Sequence, residues 1–127
     1  MSNAVLDASA LLALLGSEAG ADQVHAAIPT ASISAVNLAE VYSKLADRGP
    51  DALLALQSIR FALREVVPFT DAMAELTGRL RPLTRSLGLS LGDRACLALA
   101  IMRGGDVLTA DKSWSKLKLP CTIRIIR

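Results

Sequence analysis

The sequence predicts an α/β domain in which helices pack against a small parallel sheet, and three observations carry that prediction. Short apolar runs at Ala4 to Leu6, Ala31 to Ser34 and Val107 to Thr109 are too brief for helices and alternate with longer helix-forming segments. Aromatic residues make up 3% of a chain that is 52% hydrophobic, so its core is built from Leu, Ala, Val and Ile, which favours helices against a sheet. Acidic residues also follow the apolar runs, at the carboxyl ends of strands where open α/β sheets bind ligands.

A chain of 127 residues with mean hydropathy +0.41 supports one core, and residues 1–127 read as a single domain without repeats or low-complexity tracts. The apolar start is not a signal peptide, because Asp7 interrupts it and the first basic residue is Lys44. No apolar run approaches the roughly 18 residues of a membrane span, so a soluble protein with no membrane partner is expected. Cys96 and Cys121 form neither a metal-type spacing nor a disulfide framework; Cys96 lies in an apolar helix as a reduced thiol, and a cytoplasmic location is expected. Net charge is only +2, yet seven of the fourteen Lys and Arg residues fall from Arg94 onward. That third of the chain, Arg94, Lys112 and Lys116 among it, is the expected contact for the backbone of a polyanion, with a solvated basic face as the alternative.

In chain order, Ala4 to Leu6 is a buried strand and Ala8 to Leu15 a helix stopped by Gly16, which leaves Asp7 at the handover, where a capping role is also open to it. Ala21 to Ile28 is a short amphipathic helix ended by Pro29. Ala31 to Ser34 is a second strand, and Ser34 caps a helix running to about Ala46 that carries Glu40, with Asn37 and Lys44 on the same face. Glu40 and Lys44 at this spacing could equally form a surface pair. Pro50 starts the next helix, whose stripe of Leu53, Leu56, Ile59, Leu63 and Val66 faces the core, while Leu54 and Phe61 widen it toward a partner groove. Val66, Val67 and Phe69 form a third strand around Pro68. Asp71 caps a further helix, which Pro82 should split near Leu80, and Gly88 ends it. Ser90 and Asp93 have capping-box spacing ahead of a helix, Ala95 to Met102, that is apolar all round and therefore buried. Gly104 and Gly105 close it; Val107 to Thr109 is a strand followed by Asp111, Trp114 anchors the next turn by packing, and Thr122 to Ile126 is an edge strand.

Asp7, Glu40, Asp93 and Asp111 thus fall at or near helix starts after strands or turns, and right-handed crossovers between parallel strands bring such positions to one sheet edge. Two like charges about 4 Å apart repel by roughly 4 kcal/mol at an effective dielectric of about 20, so the cluster requires protons or cations. Oxygen ligands without His or Cys point to Mg²⁺ or Mn²⁺. The one histidine, His25, cannot supply an acid/base pair for metal-free RNA cleavage, and no nucleophile-elbow sequence accompanies it. A receiver domain expects an adjacent acidic pair where Ala8 follows Asp7, and a haloacid-type phosphatase expects a second Asp at Ser9.

Four segments in order, VLDASALLAL from Val5, SAVNLAEV from Ser34, LSLGDRACLALA from Leu89 and VLTADKSW from Val107, resemble the four acidic motifs of the PIN domains, in particular the VapC-type toxins of prokaryotic toxin–antitoxin modules. The resemblance covers essentially the whole chain. It implies a three-layer α/β/α fold with a central parallel sheet of about five short strands, and Mg²⁺-dependent endoribonuclease activity through metal-activated water. By position it implies Asp7, Glu40, Asp93 and Asp111 as catalytic metal-binding residues and Ser9, Asn37 and Thr109 as supporting polar groups. It further implies RNA as substrate, a small antitoxin as partner and a homodimer, with the apolar helices between Ala35 and Val66 as the docking surface. Ser113 stands where many relatives have a further Asp, which bears on whether one or two metals bind. A PIN-like module that binds RNA or protein without cleaving is the alternative.

Overall fold

The computed structural model describes residues 3–127. Five strands, β1 (Ala4–Leu6), β2 (Ala31–Ser34), β3 (Glu65–Val67), β4 (Asp106–Thr109) and β5 (Thr122–Ile125), form one sheet. Its order is β3-β2-β1-β4-β5 and every pairing is parallel, with Leu6 in register with Ile33 on one side and Leu108 on the other. The chain leaves β1 first toward β2 and β3, then crosses back to β4 and β5. The switch between the two directions therefore lies at β1 and β4, and ligands of open α/β sheets bind at the carboxyl end of such a switch.

Helices cover both faces. On one, Ala4, Leu6, Ile33 and Leu108 pack under α1 (Ala8–Leu15), α2 (Ala21–Ala27), α3 (Ala35–Ala46) and α4 (Pro50–Ala62). On the other, Val5, Val67 and Val107 pack with α5 (Asp71–Arg79), α7 (Leu91–Arg103) and Trp114, the short α6 (Arg81–Thr84) following α5. Alternate residues of a strand point to opposite faces, so Val5 belongs to one core and its neighbours Ala4 and Leu6 to the other. The three-layer α/β/α arrangement is the expected one. Residues 95–100 of α7 are all buried, as a helix apolar on every side must be; truncating Leu97 or Leu99 to Ala costs about 2–5 kcal/mol.

Several boundaries differ from expectation for local reasons. β3 begins at Glu65 and ends at Val67, before Pro68, which has no N–H to continue a ladder; Phe69 is outside it. Thr70, not Asp71, caps α5 by accepting from Met73 N at 3.4 Å. α5 stops at Arg79 and α6 restarts with Pro82 in its first turn, where a missing N–H is harmless. α7 starts at Leu91, one residue after the Ser90 cap, and β5 sits at the sheet edge but ends at Ile125. No helix is long and apolar enough to cross a membrane. Both cysteines are free; burial pushes the Cys96 thiol well above its ordinary range, with the Asp7 and Asp93 charges adding to that, so it is an inert core group.

Candidate active site

Asp7 follows β1 directly and its N–H donates to Leu108 O of β4 at 3.2 Å, which fixes it at the β1/β4 switch. The residue is 4% exposed, and both carboxylate oxygens accept hydrogen bonds. Oδ1 accepts from Ser9 Oγ at 2.7 Å and from Ala10 N at 2.8 Å, the second being the cap of α1; Oδ2 accepts from Thr109 Oγ1 at 2.6 Å. Capping and site placement are thus one arrangement of one side chain. Burial raises the Asp7 pKa above the ordinary aspartate value; the three hydrogen bonds pull it down, and the Asp93 charge adds to the rise.

Thr109 ends β4, and its Oγ1 also accepts from Asp111 N at 3.1 Å, while Ser9 Oγ accepts from Ala110 N at 2.9 Å. The two hydroxyls therefore tie the first and last acidic segments together across the switch. Asp111 is itself oriented by Ser113, whose N–H and Oγ–H both donate to Oδ1, at 2.9 and 2.7 Å. The serine at this position donates hydrogen bonds where a carboxylate would add charge.

Glu40 sits on the second turn of α3 and is held from two sides. Asn37 Nδ2 donates to Glu40 Oε1 at 2.8 Å and to Gly92 O at 2.9 Å, which fixes the amide orientation and joins α3 to the start of α7. Gly92 gives Glu40 its space, since a Cβ there would overlap Oε1 and lie 2.7 Å from Cδ. One residue on, Asp93 completes the capping box: Ser90 N donates to Asp93 Oδ2 at 2.9 Å and Asp93 N to Ser90 Oγ at 3.2 Å. The Glu40–Lys44 surface pair is not among the ion pairs of the described residues.

All four acids line one cleft of about 340 Å³. Among the described residues, no three His, Cys, Asp or Glu side chains converge closely enough to make a ready-built metal cage. The donor chemistry nevertheless fits a hard divalent cation. Mg²⁺ keeps several of its waters and needs only one or two direct carboxylates. The ligand atoms the cleft offers are oxygens, and the Oδ1 of Asn37, whose amide holds Glu40, is buried without a hydrogen-bond partner.

Of the three expected polyanion contacts, Arg94 is not at the surface. Arg94 is 6% exposed, and its Nη1 donates to Thr77 O at 3.0 Å, so its guanidinium holds α7 to α5 and cannot meet a substrate at the surface. Lys112 and Lys116 are exposed but lie outside the cleft. The cations that do line it are Lys44, Arg48 and Arg127, with Glu18 as an additional acid. Lys44 carried a readable signal, being spaced four residues from Glu40 on one helix face; Arg48 follows past the helix end. Glu18 and Arg127 carried none, because neither lies in a helix or strand whose periodicity would mark a face.

The sequence profile of the PIN domain family matches residues 4–119. No curated protein sequence matches the chain significantly. Solved structures of similar fold include DNA-bound VapBC from Salmonella typhimurium, at 16% identity and TM-score 0.77 over 100% of both chains. VapC20 from Mycobacterium tuberculosis, described as a sarcin-ricin loop cleaving toxin, aligns at 21% identity and TM-score 0.74 over 91% of this chain and 97% of that one. VapBC-5 from the same organism, a member of the VapBC family of toxin-antitoxin systems, aligns at 26% identity and TM-score 0.68 over 100% of this chain and 99% of that one.

Proposed function

The chain belongs to the PIN domain family, and from that premise we propose that it is a Mg²⁺- or Mn²⁺-dependent endoribonuclease, the toxin of a toxin–antitoxin pair. The observation that carries the reading is the buried Asp7 carboxylate, held by Ser9, Ala10 and Thr109 at the sheet switch, in one cleft with Glu40, Asp93 and Asp111. These four acids would hold the cation. A bound divalent ion supplies charge neutralisation, polarisation of a phosphoryl oxygen and a lowered pKa for a coordinated water.

The chain's own residues supply position. Ser9 and Thr109 keep the Asp7 oxygens in place, Asn37 aims Glu40, the Ser90 cap holds Asp93, and Ser113 holds Asp111. Each acid is thus oriented by a polar neighbour, which is the preorganisation that electrostatic catalysis requires. Attack of water on phosphorus displaces the 3′ oxygen and leaves a 5′-phosphate, with no protein nucleophile. A small antitoxin is the proposed partner, docking on the α3–α4 region where Leu54 and Phe61 are 61% and 95% exposed, and the chain is proposed to form a homodimer.

A labelled RNA incubated with the purified chain should be cut in Mg²⁺ or Mn²⁺, spared in excess chelator, and end in 5′-phosphates. Cyclic phosphate ends, or equal cutting in chelator, contradict the mechanism. A second reading, a non-catalytic RNA- or protein-binding module, is favoured by the lack of a ready-built metal cage among the described residues. It predicts RNA binding without metal-dependent loss of the label.

A further inference from the structure

The three cations of the carboxylate cleft differ in what they touch. Arg127 Nη1 lies 2.9 Å from Glu18 Oε1, in a pair whose side chains are both partly exposed. Lys44 and Arg48 are exposed and belong to no ion pair among the described residues. Lys44 lies one turn beyond Glu40 on the same face of α3, and Arg48 follows in the turn past the helix end, where its N–H donates to Leu45 O at 2.9 Å; both line the cleft with Glu40. The step from Glu40 to Lys44 is about 6 Å along the helix axis, of the order of the spacing between neighbouring phosphates in a nucleic-acid strand. Arg127 is equally well placed. The preceding Ile126 is buried, its N–H donates to Thr109 O at 2.9 Å, its carbonyl accepts from Gln23 Nε2 at 3.2 Å, and Gly20, at φ +93°, packs so closely on it that no Cβ would fit.

A row of unpaired cations leading away from a carboxylate cluster suits an extended polyanion that has one phosphate over the acids. We propose that Lys44 and Arg48 hold the phosphates flanking the reacting one, and that Glu18 keeps Arg127 out of this set until an RNA phosphate displaces it. The inference rests on the ribonuclease reading above. Both Lys44 and Arg48 are positioning residues, and Glu18 tunes affinity by competing for Arg127.

Binding of a short labelled single-stranded oligoribonucleotide to the full chain, followed by anisotropy over a salt series in an Asp7→Asn background with chelator, tests this without cleavage. Each phosphate contact contributes about 0.7 to the slope of log affinity against log salt for single strands, or about fivefold in affinity at about 0.1 M salt. Lys44→Ala with Arg48→Ala should flatten the slope by about 1.4 and weaken binding about 25-fold at that salt. Glu18→Gln should steepen it by about 0.7, and adding Arg127→Ala should abolish that gain. An unchanged slope in the Lys44/Arg48 double variant overturns the rim; a Glu18→Gln gain that persists without Arg127, or no gain at all, overturns the role of the pair. If the parent chain fails to cut RNA in Mn²⁺ while the slopes move as expected, the nuclease reading falls and the rim stands. If it cuts RNA while the slopes stay fixed, the rim alone falls.

Discussion

Replacing Gly92 by Ala separates the site from the fold more cleanly than removing any acid. Gly92 is buried in the first turn of α7, and the added methyl would overlap Glu40 Oε1 and lie 2.7 Å from Glu40 Cδ. The obstacle is the end of a flexible side chain, so the helix stays and Glu40 moves. The Asn37–Glu40 hydrogen bond of 2.8 Å is then lost, at a net cost of about 1 kcal/mol. Alanine in a helix is favoured over glycine by up to about 1 kcal/mol, less in a first turn. The two terms nearly cancel, leaving a change within about 1 kcal/mol, or a Tm shift within about 5 °C for a domain of this size. Function should not cancel. A catalytic group displaced by about 1 Å or more can lose on the order of 100-fold in rate, so RNA cleavage by Gly92→Ala should fall by about that much. Wild type should gain about 1.4 kcal/mol of stability from Mn²⁺ at about tenfold excess over Kd, and the variant about half of that or less. Thermal melts with chelator and with Mn²⁺, alongside a cleavage assay, read all three quantities. Full activity with an undiminished Mn²⁺ gain would show that Glu40 has no part in the site. A loss of several kcal/mol in chelator would show that Gly92 serves packing alone.

Asp7 makes stability depend on pH with a defined sign. Its folded pKa lies above the unfolded value because burial disfavours the charge, so the folded state holds more protons in the window between the two and loses stability as pH rises through it. In chelator, Asp7→Asn should therefore gain on wild type as pH rises above about 4 in urea unfolding, and a difference constant with pH would refute the burial argument. On α4, Leu54 and Phe61 lie seven residues apart on one stripe and are largely exposed. Changing both to Glu should raise the solubility of the free chain and abolish co-purification with a co-expressed antitoxin; unaltered co-purification would move the partner to another surface.

The parts of the fold legible in the sequence are those that one local rule determines. Leu6, Asp7 and Gly16 set the bounds of β1 and α1, and Ser34 and Ser90 mark helix starts because their hydroxyls cap the next turn. Where two rules compete, the stronger local geometry decides. Asp71 and Thr70 can both cap, and Thr70 does so; Val67 and Phe69 are both strand formers, but Pro68 between them ends the ladder. Of the candidate site, the four acids and Ser9 line one cleft to which each motif contributes separately. Charge counted along the chain does not place Arg94, which lies at the start of a largely buried helix run and turns against Thr77. The apolar run that announces residues 95–100 as buried therefore argues against a surface role for the arginine that adjoins it.

The central claim is that four carboxylates, placed by four separate segments, act as one cation site. Calorimetric titration of Mn²⁺ into wild type and into Asp7→Asn, Glu40→Gln, Asp93→Asn and Asp111→Asn tests it without reference to any substrate. One shared site predicts saturable binding by wild type that every substitution weakens or abolishes, with all four variants still folded. Undiminished binding in the Asp93 and Asp111 variants, or no binding by wild type, would contradict it.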